Sequence, residues 1–415
     1  MQLRGAADVG INERANCCHA AGRSAAAVIP DCTAADFVRR VPEHAALGTP
    51  ATSATLQRMP PPRPGRRRVA HRWRLVVAAV VVLVSVLVVL SRVTTPSTAS
   101  STTSSSSSST STSSTVAPRT DRVVGVITLN IAVPPTVTSG SQTLSTTVRY
   151  PAIGVPEGSI VTGATPLRRV GGYPLVVFSQ GFALAPATYA RLLDAWAAAG
   201  FIVAAPAYPF TSPNSPGGLV RTDIVNHPAE LSRVITALLT DSAQVHGVLS
   251  GLINRREIGV AGHSDGGDVS LAIAENTCCR DRRVKAAVIL SGAELSWFGG
   301  AYVASPTLRL LVVQGTDDTI FNPVACSIQL YDHASEPKYY LSMIGQNHLS
   351  AYLPGGSPFN VVRRVTIDFL NAYLRQASSS LAALTKSGSV AGLATITTKS
   401  SIAPVGGECP DAPNV

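Results

Sequence analysis

The chain has 415 residues, of which 45% are hydrophobic, enough to bury the core of one domain of roughly 250 to 300 residues. Its net charge of +10 is unevenly distributed: residues 1–92 hold thirteen Arg and five acidic side chains, a net +8, and the rest of the chain carries only +2. A nucleic-acid-binding protein concentrates basic side chains on its folded part, so this distribution argues against nucleic acid as a partner.

The first part of the chain has the composition of a targeting sequence. Residues 1–58 show no sustained periodicity, and we predict a disordered tail there, unless the protein starts at Met59. Residues 59–74 are rich in Pro and Arg and are predicted to be a basic cytoplasmic flank.

An uncharged run of Val, Leu and Ala follows at residues 75–91. It is slightly short for a hydrocarbon core of about 30 Å, so a cleaved signal peptide and a transmembrane signal anchor are both open, and we favour the anchor. The positive-inside rule keeps the preceding arginines in the cytoplasm, which predicts a membrane protein whose remaining part is extracytoplasmic. Residues 92–118 are almost wholly Ser and Thr and are predicted to be a disordered linker.

Residues 119–376 have the pattern of a folded domain. Short apolar runs alternate with longer segments in which apolar residues recur every three or four positions, which predicts a mostly parallel, doubly wound α/β sheet of about eight strands. The predicted strands lie at 123–133, 144–150, 174–179, 201–206, 257–261, 284–290, 308–314 and 339–344. The predicted helices lie at 187–199, 228–242, 265–276, 323–333 and 359–375. Residues 377–415 lack a strong pattern and are predicted to be an extension packed on the domain.

The most informative motif surrounds Ser264. Residues 262–266 read Gly-His-Ser-Asp-Gly, the only GxSxG of the chain, with an apolar strand before it and a helix after it. This is the context of a sharp turn that exposes a nucleophilic serine, and its glycines allow neighbouring backbone to approach closely. We therefore predict that Ser264 is a nucleophile.

A serine hydroxyl needs a base, and His348 is the candidate among the eight histidines. It directly follows a predicted strand, and catalytic groups of such folds gather at the carboxyl ends of strands. His263 precedes the serine and should point away from substrate. The remaining six are interpreted as cytoplasmic, helix-cap or surface residues: His19, His44, His71, His227, His246 and His333.

The imidazole in turn needs a carboxylate, and two acids, Asp317 and Asp318, follow the strand before the His348 strand. Asp318 is our choice, with Asp317 next and Glu294 third. The order Ser264, Asp318, His348 is the order expected when the serine lies on a strand-to-helix elbow.

An oxyanion formed at Ser264 needs backbone donors. The N–H of Asp265 is one, and the loop after the 174–179 strand supplies the other, which we assign to Phe182, whose ring could also line an acyl pocket. The carboxylate of Asp265 would oppose negative charge at this point, and the sequence gives no account of what offsets it.

Several stretches together carry a family resemblance: PLVVFSQGF, AAAGFIVAAPAYPFT, GHSDGGDVSLAIAENTCCRDRRVKAAVILSG and GTDDTIFNP. They resemble actinobacterial α/β-hydrolases of the dienelactone hydrolase, platelet-activating-factor acetylhydrolase and polyester hydrolase group, over roughly residues 121–375. The resemblance implies the α/β-hydrolase fold and cofactor-free hydrolysis of carboxylic esters, small or lipid-like. Many members have His or Pro where this chain has Gln180, so we place Gln180 with Phe182 in the substrate-binding region.

Four cysteines would meet an oxidising exterior: Cys278, Cys279, Cys326 and Cys409. They allow two disulfides in three connectivities. A vicinal Cys278–Cys279 bridge is one possibility, but the plainer expectation is that at least one of this pair joins Cys326 or Cys409. No zinc-type spacing appears, so no metal site is predicted.

The resulting hypothesis is an extracytoplasmic serine hydrolase that forms an acyl-enzyme. The alternatives are thioesterase, dienelactone or other acyl-transfer chemistry at the same site, and an exported binding protein without activity. The short 291–307 segment leaves no room for a large lid. The sequence indicates no oligomeric state.

Overall fold

A single sheet of ten strands organises the part of the chain that the computed structural model describes, namely residues 122–135, 142–156, 158–319, 324–406 and 409. The strands are β1 (Val123–Val133), β2 (Gln142–Ala152), β3 (Ile160–Thr162), β4 (Tyr173–Ser179), β5 (Ile202–Ala207), β6 (Ile253–His263), β7 (Val284–Leu290), β8 (Arg309–Gly315), β9 (Lys338–Met343) and β10 (Ala394–Thr397). Their order across the sheet is β10-β9-β8-β7-β6-β4-β5-β2-β1-β3.

The centre of the sheet is parallel and its margins contain antiparallel pairs. Strands β4 to β9 pair in parallel with one another. Strand β2 runs antiparallel to both β5 and β1, and β10 runs antiparallel to β9. All seven residues of β4 are buried, as expected for a strand covered on both faces. Every central strand therefore delivers its carboxyl end to the same edge.

In the described part of the chain, six α-helices cover the two faces of the sheet. They are α1 (Ala190–Ala198), α2 (His227–Ser242), α3 (Asp265–Glu275), α4 (Val324–His333), α5 (Ser357–Leu374) and α6 (Ser378–Gly388). Side chains of α2, α3 and α4 pack in one hydrophobic cluster and those of α1, α5 and α6 in another. Alternate residues of β4 join opposite clusters, so the sheet separates two cores.

The doubly wound, mostly parallel sheet confirms the predicted architecture, but the strand count of about eight was too low. The two additional strands, β3 and β10, contain three and four residues and lie at opposite edges of the sheet. Runs this short carry too little alternation to be recognised, and edge strands need no continuous apolar run.

The C-terminal residues contribute both a helix and a strand. Helix α6 packs against α5, and β10 extends the sheet beside β9. The disulfides differ from the plainer expectation, because Cys278 bonds to its neighbour Cys279 and Cys326 bonds to Cys409. The second bridge ties the chain beyond β10 back to α4.

The predicted tail (1–58), basic flank (59–74), signal anchor (75–91) and linker (92–118) lie outside the described residues. In the described part of the chain, no helix combines the length and the apolar character needed to cross a membrane.

Candidate active site

The GxSxG motif forms the turn between β6 and α3. Ser264 has a positive φ of 56°, a conformation that costs roughly 1–3 kcal/mol for a residue with a side chain. A Cβ on Gly262 would collide with the carbonyl of Gly266, and one on Gly266 with the carbonyls of Ser179 and Gln180. The glycines thus permit a turn that raises Ser264 at the carboxyl edge of the sheet.

Two consecutive hydrogen bonds link Ser264 to His348 and His348 to Asp318. His348 Nε2 is 2.8 Å from Ser264 Oγ, and His348 Nδ1 is 2.8 Å from Asp318 Oδ2. The three residues come from the loops after β6, β9 and β8, whose carboxyl ends meet at this edge. This geometry lets the imidazole accept the serine proton while the carboxylate orients the ring.

Asp318 is held as an anion. Burial of this carboxyl alone would raise its pKa, but hydrogen bonding to His348 and its charge, together with hydrogen bonds from Ser291 and Gln314, lower the pKa below its usual value. Gln314 Nε2 donates to the Asp318 oxygen at 2.8 Å.

The alternative acids are placed differently. Asp317 is exposed and accepts a hydrogen bond from the Thr316 hydroxyl at 3.0 Å. Glu294 is buried and lies 2.9 Å from His333 Nδ1 rather than near His348. Of the three acids considered, Asp318 is the one that the structure places against His348.

The proposed oxyanion donors flank Ser264. Asp265 is the first residue of α3, and Phe182 lies in the turn after β4. A Cβ on Gly181 would lie 3.3 Å from the Ser264 Cβ, so the Phe182 loop passes directly beside the elbow. Among the described residues no backbone acceptor outside the helices and strands takes the N–H of Phe182, and the N–H of Asp265 belongs to the first turn of α3, where N–H groups have no acceptor within the helix. Both donors can therefore serve an incoming oxygen.

Comparisons with known proteins bear on the fold and on the class of protein. Residues 141–290 match the family model described as Chlorophyllase. The chain also superposes on the ferulic acid esterase from Streptomyces cinnamoneus with a TM-score of 0.50 and 20% identity, over 64% of this chain and 94% of that one. No curated protein matches it.

The described domain has the fold of the α/β-hydrolases. The family match over residues 141–290 and the shared fold agree with the predicted resemblance to esterases of this fold, and its actinobacterial part stays a prediction.

The carboxylate that follows Ser264 is paired with an arginine. Both oxygens of Asp265 accept hydrogen bonds from Arg221, at 2.7 and 3.0 Å. The guanidinium of Arg221 lies over the ring of Trp297, 5.0 Å from its centroid. This two-point hydrogen bond was not recognised in the sequence. It explains how an aspartate can lie beside the proposed oxyanion donors.

The two residues predicted to bind substrate have different surroundings. Gln180 is only 3% exposed, and its amide nitrogen donates to the Ser212 hydroxyl at 2.7 Å. Phe182 is half-buried. Gln180 thus ties the loop after β4 to the loop after β5, and Phe182 is the less buried of the two residues.

A further group of titratable side chains is buried on the α2 side of the domain. His227 stacks on Tyr208 at 3.8 Å between ring centroids, and its Nε2 is 3.5 Å from Asp223. Burial lowers the pKa of His227. Burial and the charge of Asp223 raise the pKa of Glu230 to about 8, and neither oxygen of Glu230 has a partner in the described part of the chain.

Proposed function

We propose that residues 119–376 form an extracytoplasmic serine hydrolase that cleaves carboxylic esters through an acyl-enzyme. The observation that carries the proposal is the unbroken series of contacts from Ser264 through His348 to Asp318, each 2.8 Å long. The ester as substrate class is supported by the Chlorophyllase family match and by the fold shared with a ferulic acid esterase.

In the first half of the proposed reaction, His348 Nε2 takes the proton of Ser264 while Oγ attacks the ester carbonyl carbon. The carbonyl oxygen of the ester becomes an anion that accepts hydrogen bonds from the N–H groups of Phe182 and Asp265. The imidazolium then donates its proton to the leaving alkoxide, and the alcohol departs.

In the second half, water replaces the alcohol. His348 takes a proton from that water, whose oxygen attacks the acyl carbon. The second tetrahedral adduct then collapses with cleavage of the bond to Ser264 Oγ, His348 returns the proton to Oγ, and the carboxylic acid departs. Asp318 stays ionised throughout and offsets the imidazolium charge. No step requires a cofactor.

The extracytoplasmic location is a separate part of the proposal. It is supported by the arginine-rich 59–74 stretch before the uncharged 75–91 run, and by two disulfides, which persist in oxidising compartments. We propose that the 75–91 run anchors the enzyme in the membrane.

A panel of p-nitrophenyl esters of increasing acyl length, with aryl thioesters beside them, tests the proposed substrate class. We expect ester turnover by the protein expressed with its disulfides formed, and turnover at the uncatalysed rate by Ser264→Ala. Ser250→Ala, which removes a hydroxyl in the loop between α2 and β6 that donates to the Gln244 carbonyl, is the control. Thioester turnover equal to ester turnover would contradict the preference for oxygen esters, and activity that survives in Ser264→Ala would contradict the nucleophile.

A further inference from the structure

A buried imidazole joins the loops of the candidate active site. His263 is the last residue of β6 and is 1% exposed. Its Nε2 lies 2.7 Å from the backbone carbonyl oxygen of His348, and its Nδ1 lies 2.7 Å from the hydroxyl of Tyr189. The same hydroxyl lies 3.3 Å from the backbone nitrogen of Gly181.

The chemistry of these atoms fixes the direction of every hydrogen bond. A carbonyl oxygen only accepts, so Nε2 of His263 must carry a hydrogen. Burial, followed by the nearby charge of His348, lowers the pKa of His263 to about 3, so the ring is neutral and Nδ1 has a free lone pair. Tyr189 then donates to Nδ1, and its oxygen accepts from the Gly181 N–H.

We propose that Tyr189 and His263 are positioning residues. They hold three segments in fixed positions relative to one another: the turn that carries Ser264, the loop that carries the donor Phe182, and the loop that carries His348. The inference deepens the proposed function and rests on it. Gly181 is adjacent to the donor Phe182, and His263 is adjacent to Ser264. Asp318 orients the ring of His348 through Nδ1, and His263 holds the backbone of the same residue.

Packing alone does not account for this arrangement. The ring of Tyr189 contacts Phe178, with 4.7 Å between centroids, and a phenylalanine at position 189 would keep that contact. Burying an imidazole and a hydroxyl is costly unless every polar atom is paired, and here each one is. The hydrogen bonds of Tyr189 and His263 fix the orientation of the groups they join, which apolar packing would not do.

Steady-state kinetics of Tyr189→Phe, His263→Leu and His263→Gln test the proposal. We expect kcat to fall roughly 10-fold in Tyr189→Phe and roughly 100-fold in His263→Leu, with KM for a short ester unchanged, because misplaced catalytic groups slow the chemical step. His263→Gln should regain part of kcat, since its amide can still donate to the His348 carbonyl.

Tyr331→Phe is the matched control, because it also removes one hydroxyl of a fully buried ring, which donates to the Lys399 carbonyl in another part of the fold. It should lower the unfolding midpoint of the enzyme as Tyr189→Phe does, and leave kcat unchanged. Wild-type kcat in Tyr189→Phe, or equal losses of kcat in the two variants, would overturn the positioning role.

Nitrogen NMR of the wild-type imidazoles separates this inference from the proposed function, since it requires no turnover. We expect His263 to be the Nε2–H tautomer and to stay neutral from pH 5 to 9. An Nδ1–H tautomer, or protonation near pH 6, would overturn the inference even in an active esterase. An inert wild-type protein with the expected tautomer would refute the proposed function and leave the hydrogen-bonded arrangement intact.

Discussion

At the scale of single residues, the Arg221–Asp265 pair decides whether negative charge opposes the oxyanion. Arg221→Gln leaves the Asp265 carboxylate unpaired beside the backbone donor, so we expect kcat/KM to fall roughly 10-fold. Asp265→Asn alone should stay near wild type, and the double variant should recover most of the loss. The four proteins form a double-mutant cycle, measured by ester hydrolysis. A double variant as slow as Arg221→Gln would show that the guanidinium acts in another way.

Neighbouring aspartates provide a matched test of the catalytic acid. Asp318→Asn removes the carboxylate that faces His348 Nδ1, and we expect kcat to fall by roughly 10³- to 10⁴-fold with little change in KM. Asp317→Asn changes an exposed side chain one position earlier and should keep nearly full activity. Assays at saturating ester distinguish the two variants. Equal losses of kcat would show that the carboxylate of the triad is assigned wrongly.

The sequence could single out a candidate residue where that residue's chemistry is tied to a turn or a strand end. Ser264 is marked by its glycines, and His348 by its place directly after a strand. Arg221 carries no such mark, since it lies 44 residues before Asp265 in a short 3-10 helix and meets it only through the fold. Tyr189 is distant from His263 for the same reason, 74 residues away.

At the scale of elements, α2 carries a buried acid whose titration should make stability depend on pH. The unfolded chain releases the Glu230 proton near its ordinary pKa of 4.5, whereas the folded protein holds it up to about pH 8. The folded state therefore binds more protons across this window, and the free energy of unfolding should decrease as the pH rises from 5 to 8.

Glu230→Gln should remove part of this decrease and stabilise the protein at pH 8, on the order of 1–3 kcal/mol. Urea unfolding at pH 5.5 and pH 8 measures the effect. Glu336→Gln, at an exposed position, is the control and should leave the pH dependence unchanged. A destabilised Glu230→Gln at pH 8 would mean that the carboxylate is ionised and paired.

Helices and strands were predicted well where their apolar pattern extends over many residues. Strand β4 and helix α5 were both recognised, because a continuous apolar run and a three- and four-residue spacing extend over many positions. Strand β10 was missed because its four residues gain their place from pairing with β9, which local sequence does not encode. The same holds for β3, which pairs with β1 over three residues.

At the scale of the whole molecule, the two disulfides should differ in their effect on stability. Cys326–Cys409 closes a loop across 83 positions, whereas Cys278–Cys279 closes none. In the chain-entropy view of cross-links, replacing Cys326 and Cys409 by Ser should destabilise the protein by roughly 2–4 kcal/mol.

Replacing Cys278 and Cys279 by Ser is the matched control and should cost much less. Unfolding midpoints in denaturant compare the two pairs. An equal or larger loss from the adjacent pair would show that its contribution is local rather than a constraint on the unfolded chain. The pairing itself was beyond the sequence, since four cysteines allow three connectivities and only the fold brings Cys409 to α4.

For the whole chain we propose that a basic, apolar N-terminal part targets a nearly neutral hydrolase domain. The central claim of this account is that Ser264 forms a covalent acyl-enzyme. The most direct measurement is intact-mass and peptide mass spectrometry after reaction with a fluorophosphonate probe, with wild type, Ser264→Ala and His348→Asn compared. The account predicts one adduct per chain, located on Ser264, absent in Ser264→Ala and formed far more slowly in His348→Asn. A folded wild-type protein without an adduct, or an adduct on another residue, would contradict it.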